Sequence, residues 1–201
     1  MSDDHVKPRW SSSIECGLWL RSRLAPFREN TVASLVPADY KAYARLLHPV
    51  STPQHGGRQV RWREVAQWSN LELTSTSQFA SIAMGPGSPR SDLPWSGQGP
   101  AEGSLYAADA KVLAFILRQW TSSPEQCWFG LWSGYGPHRE SYGPELELDS
   151  RTYNVFGGPV ENAFETTLTT KERHTPNLWW PEDRSWFVAT EIDSQSTYLG
   201  R

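Results

Sequence analysis

The chain is short of cysteine, of positive charge and of long apolar runs. Only two cysteines, Cys16 and Cys127, occur in 201 residues. They are too few and too separated for a disulfide framework or a metal knuckle. Reduced thiols and a cytoplasmic location are the expectation. Lys and Arg number 19 against 22 Asp and Glu, a net charge of −3. Without a global basic field, nucleic acid is a disfavoured partner. No stretch approaches the roughly 20 apolar residues that span a bilayer. The opening "MSDDHVKPRW" also lacks a signal-peptide core. No membrane partner is expected.

Catalytic signatures are missing as well. None of the five histidines pairs with another at metal-ligand spacing or neighbours a cysteine. No GxSxG, HExxH or phosphate-loop lysine motif is present. The sequence therefore assigns no metal, no cofactor and no catalytic residue, though a triad assembled in space stays open. Aromatic rings are plentiful instead: 11 Trp, 7 Tyr and 7 Phe. Mean hydropathy is −0.57. Such a core is built around large rings whose N–H and O–H groups need partners.

The spacing along the chain predicts an α+β fold. Residues 1–12 read as a flexible tail, and 13–201 as one domain. Cys16, Trp19, Leu20, Leu24 and Phe27 keep a helical stripe that ends near Pro26. "TVASLV" (31–36) reads as a strand. Pro37 opens a second helix carrying Tyr40, Tyr43, Ala44 and Leu47, stopped at His48–Pro49. Residues 51–59 are a loop, and Trp62, Val65 and Ala66 suggest a third helix. Residues 84–104, rich in Gly, Pro and Ser, form an irregular loop. "SLYAADAKVLAFILRQWT" (104–121) predicts a central buried helix, capped by Ser104 and facing inward with Leu105, Ala108, Val112, Phe115 and Ile116. Strands follow at 127–134, 145–149, 151–158 and 185–193, with 196–200 returning as a hairpin arm. N-terminal helices and one central helix thus pack on a mainly antiparallel sheet from the C-terminal half.

The stretch "NLWWPEDRSWFVATEID" (177–193) concentrates the candidate residues. Strand alternation puts Trp186, Val188, Thr190 and Ile192 on one face and Phe187, Ala189, Glu191 and Asp193 on the other. Glu191 and Asp193 then form a carboxylate pair. It either binds a cation or basic partner, does acid–base work, or is simply solvated. Asp183 and Arg184 follow Pro181. They form an ion pair that holds an exposed loop, or Arg184 is offered to an anion, or Asp183 fixes the turn. Trp179 and Trp180 cannot both point inward in an extended segment, so one is expected at the surface. In "CWFGLWSGYG" (127–136), Trp128 and Trp132 share one strand face and Cys127, Phe129 and Leu131 the other, which predicts a central strand.

Several phrases together carry a resemblance: "VPADYKAYARLLHP", "VRWREVA", "EGSL", "CWFGLWSGYG", "YNVFGGPV" and "PNLWWPEDRSWFVATEIDSQSTYLG". In this order they resemble a family of uncharacterised actinobacterial cytosolic proteins. The resemblance implies a helical segment after the last strand, so a C-terminal segment missing beyond Arg201 is expected. The helix-first order, the late sheet and the Trp-and-acid strand are also distantly similar to the SMI1/KNR4-like (SUKH) superfamily. Many of its members are immunity proteins that neutralise toxins, and the similarity carries no catalytic residues over.

Two functions follow as expectations. The first is a non-catalytic module that binds another protein, in the manner of an immunity protein. Its surface would be Trp179, Trp180, Asp183, Arg184, Glu191 and Asp193, with Trp132 and Tyr135 at the rim. The second is a small-molecule or carbohydrate binder, or a hydrolase. Its pocket would lie between the central helix and the sheet, with Glu191 as acid or base and the 84–104 loop as lid. A cavity holding Glu191 favours the second, and a flat acidic–aromatic face the first.

Overall fold

The structure, a computed structural model, describes residues 7–29, 31–52, 58–83, 99–135, 142–149, 151–165 and 174–201. The strand-rich C-terminal half forms the sheet that its alternation predicts. Strand β1 is Arg9–Trp10, β2 Tyr43–Leu47, β3 Val50–Thr52 and β4 Arg58–Val60. Then come β5 Cys127–Trp132, β6 Glu145–Leu148, β7 Arg151–Gly158, β8 Leu178–Pro181, β9 Phe187–Thr190 and β10 Ser196–Gly200. Eight of these make one sheet in the order β1-β7-β5-β8-β9-β10-β2, with β6 on β7. Every pairing in it is antiparallel. The fold is α+β.

Both faces of this sheet are covered. On one face lie helices α3 (Ala107–Arg118) and α4 (Asn162–Glu165). Ala110, Leu113, Ala114 and Leu117 of α3 pack there on Phe129, Phe156, Trp179, Trp186 and Val188. On the other face lies the irregular segment 14–36, made of short 3-10 turns at Glu15–Ser22, Phe27–Glu29 and Val32–Ser34. Leu20 and Val36 meet Leu146, Tyr153, Val155, Leu178, Trp180 and Phe187 there. A satellite unit of β3, β4, α1 (Trp62–Ser69) and α2 (Phe79–Ala83) has its own small core around Trp62 and Phe79. His48 is fully buried and pins this unit's root, bonding the Ala101 carbonyl at 2.7 Å and the Thr197 hydroxyl at 2.9 Å.

Several expectations need correction. Trp10, placed in the tail, joins β1 against Phe156 of β7. The "TVASLV" run forms a 3-10 turn, not a strand. The expected helix after Pro37 is instead β2, because the free edge of β10 offers five residues of antiparallel pairing, from Ser196↔Leu47 to Gly200↔Tyr43. Helix α3 starts at Ala107 rather than after Ser104, and it is buried on one face only. Its inward residues include Ala110 and Ala114, while Val112, Phe115 and Ile116 are exposed at 60, 68 and 46%. Small residues let the helix approach a sheet face already filled by the Trp179 and Trp186 indoles. The Trp186 indole N–H donates to the Leu117 carbonyl at the helix end, 3.1 Å away. Among the described residues, no helix is long and apolar enough to cross a membrane.

Candidate functional site

Alternation in β9 is as expected: Trp186 and Val188 face α3, while Phe187 and Ala189 face the 14–36 segment. The expected surface on this stretch is nevertheless dismantled. Trp179 and Trp180 are 0 and 1% exposed. They do point to opposite faces of β8, but each face has a cover, so both are core. The Trp179 N–H donates to the Pro176 carbonyl at 2.7 Å. The Trp180 ring stacks on Phe187.

Asp183 is a turn residue. Its Oδ2 accepts from the Thr121 hydroxyl and from both the N–H and hydroxyl of Ser122, and its Oδ1 from the Ser185 N–H. Burial works to raise its pKa, but the hydrogen bonds from Ser122 and Ser185 outweigh it and hold the carboxyl well below the usual range. Arg184 then takes a left-handed backbone, φ 54°, and lays its guanidinium over the Trp19 ring. Trp132 and Tyr135 meet edge to face at 5.1 Å, and the Tyr135 hydroxyl donates to the Gly103 carbonyl. This corner is tied by Asn177, fully buried, whose side chain bonds the backbone of Gly103, Trp132 and Thr190. The surface predicted as one patch is thus split between two core faces, a turn and a packed corner.

Glu191 and Asp193 do come together, and on an arginine. The Arg151 Nε donates to Glu191 Oε1 and its Nη2 to Asp193 Oδ2, both at 2.9 Å. The second Glu191 oxygen accepts the Asp193 N–H at 2.7 Å. Both carboxylate oxygens of Glu191 are therefore engaged, which argues against acid or base work. Phe27 covers the other side of the guanidinium, with the ring centroid 5.3 Å from Cζ. The Phe27 N–H in turn donates to the Asp149 carboxylate.

This ion pair borders a cavity of about 470 Å³ between the 14–36 segment and the sheet. Its walls mix apolar side chains, among them Leu20, Leu24, Leu148 and Leu178, with polar and charged ones. The polar lining includes Arg21, Glu147, Asp149, Arg151, Tyr153 and Glu191. Tyr153 is 7% exposed, yet its hydroxyl has no hydrogen-bond partner among the described residues. Burial foremost, then the nearby Glu191 charge, raise the Tyr153 pKa, so the phenol is a neutral donor. The cavity lies on the opposite sheet face from the one expected. The reason is that α3 fills its face, whereas 3-10 turns do not. Residues 84–98 of the expected lid lie outside the described residues; residues 99–104 pack beside His48 and Asn177 instead.

Sequence reasoning missed Arg151, Tyr153 and Phe27. The only available signal was the alternation in "RTYNVFGG", which puts Arg151, Tyr153 and Val155 on one face. Among the described residues, no group of three His, Cys, Asp or Glu could hold a metal. Compared with protein-family models, with curated proteins and with solved structures, the chain matches none.

Proposed function

We propose that this protein binds a small amphipathic molecule in the cavity beneath the 14–36 segment. The observation that carries the reading is a partly enclosed cavity of about 470 Å³ with Tyr153 and the Arg151–Glu191 pair in its lining. That volume falls in the range of small-molecule sites, about 300–1,000 Å³. An unused phenol donor beside apolar wall suits a ligand that carries a hydrogen-bond acceptor next to apolar surface. The engaged oxygens of Glu191 support binding rather than hydrolysis. The test is thermal unfolding of wild type and Ala189→Leu against a set of metabolites. Ala189 lines the cavity, so the larger side chain fills it. The expected result is one or more ligands that raise the wild-type melting temperature and leave the variant unmoved. Ligands that shift both proteins equally, or none that shift wild type, count against the reading.

A second reading is a protein-binding module, supported by the outer face of α3. Val112, Phe115 and Ile116 are all exposed there. Contiguous apolar surface of this kind marks interfaces. A partner recovered by wild type and lost by Phe115→Glu, with both proteins equally stable, would support it. Equal recovery by the two would remove it.

A further inference from the structure

A second hollow, separate from the cavity, opens at the junction of the N-terminal segment, the turn after β8 and the residues flanking β2. It encloses about 630 Å³. Arg23, Lys41, Arg184 and Arg201 line it, with Asp39 as the acidic side chain. Asp39 is already paired with Arg23. The chain as a whole is acidic, with net charge −3, so this concentration of cations runs against its composition.

Two of these arginines are held. Arg184 lies over the Trp19 ring, 5.0 Å from Cζ to the centroid, and Arg201 over the Trp120 ring at 3.3 Å. A guanidinium stacked on an indole keeps its face occupied and its N–H edge available. That edge is the part that forks onto a phosphate or carboxylate. Tyr40 braces the same place by donating from its hydroxyl to the Arg184 carbonyl at 3.1 Å. Arg184 has a left-handed backbone, and Asp183 fixes the turn that carries it through Ser122 and Ser185. Beneath the arginine, the Trp19 indole N–H and the Ser185 hydroxyl are closed from solvent without a hydrogen-bond partner.

We infer that this hollow is a binding site for a phosphorylated small molecule. The arginine forks and Lys41 take the phosphoryl oxygens, and the volume exceeds what one phosphate fills. Tyr40 supplies ring surface for an attached group. The shared chemistry is the phosphoryl group, whether free or carried on a nucleoside.

The experiment is calorimetric titration of the full chain with pyrophosphate, with ADP and with adenosine. It is run beside Arg184→Gln/Arg201→Gln and beside Ala189→Leu. Wild type is expected to bind pyrophosphate or ADP saturably, with Kd below about 1 mM. The double variant should bind at least about tenfold more weakly, since it loses charge-assisted contacts. Affinity should also fall with added salt. Ala189→Leu should bind like wild type, because it alters only the other cavity. ADP tighter than pyrophosphate identifies a nucleotide; equal affinities identify the phosphoryl group alone. Both arginines are exposed, and circular dichroism melts confirm that the double variant is folded. Adenosine binding as tightly as ADP, no saturable binding of either anion, or equal binding by wild type and the double variant overturns the inference.

Discussion

The two faces of the one sheet are covered in different ways. A regular helix lies on one, and its buried stripe alternates Ala110 and Ala114 with Leu113 and Leu117 against Trp179 and Trp186. A chain of 3-10 turns lies on the other, and a cavity of about 470 Å³ remains beneath it. The difference lies in the cover. A helix presents side chains at a fixed pitch that interdigitates with the sheet. Short 3-10 turns, broken at Pro26 and again at Pro37, cannot keep such a row. Stability is thus concentrated on the helical face, and room for a ligand on the other.

Matched truncations test this division first. Leu117→Ala on α3 and Leu20→Ala in the N-terminal segment remove the same atoms from sites exposed by 1 and 0%. The helical site should lose about 4 kcal/mol, near the top of the usual range for such a change, because its neighbours are tightly packed. Leu20 borders the existing cavity, so it should lose about 1 kcal/mol less. Urea unfolding measures both. Equal losses would break the comparison.

Arg151→Ala should follow, at about 3 kcal/mol. It strands Glu191, whose side chain is 9% exposed, as an uncompensated charge. The same urea series reads it. Double replacement Arg151→Met/Glu191→Leu should recover most of the loss. Failure to recover would mean that the pair holds the cavity rim by geometry rather than by charge balance.

Growth at two small buried residues sharpens the contrast. Ala114→Leu adds bulk to the filled face and should cost about 2 kcal/mol. Ala189→Leu adds the same bulk toward the cavity and should change stability by less than about 1 kcal/mol. A large loss at Ala189 would show that the cavity walls cannot take up the added atoms.

The sheet was legible in the sequence where alternation was strong. Cys127, Phe129 and Leu131 against Trp128 and Trp132 gave β5 its central position, and 187–190 with 196–200 gave the hairpin. Tyr40, Tyr43, Ala44 and Leu47 also fit a helix, and only the unpaired edge of β10, remote in sequence, decides for a strand. The paired tryptophans misled for a related reason. One exposed indole follows from a sheet with one wet face, and this sheet has none. Of the candidate site, Glu191 and Asp193 were visible on their face. Their partner Arg151 lies 40 residues from Glu191, and nothing local signals that contact.

The smallest expected effect concerns the turn that separates the two covers' edges. Asp183 ties residues 121–122 at the end of the helical side to the turn carrying Arg184. Its carboxyl titrates below the ordinary range in the folded chain, since hydrogen bonds from Ser122 and Ser185 outweigh the opposing effect of burial. A carboxyl depressed on folding contributes stability that is fully present above its unfolded value, about 3.9. That contribution is lost as pH falls from there toward the lower folded value. Asp183→Asn should therefore be less stable than wild type by about 1 kcal/mol at pH 7, a small figure because the group is exposed and solvent-screened. The gap should stay constant down to about pH 5 and close only in stronger acid. Thermal unfolding from pH 2 to 7 measures it. A gap that persists unchanged at pH 2 would assign the loss to the shape of the turn rather than to the charge of Asp183.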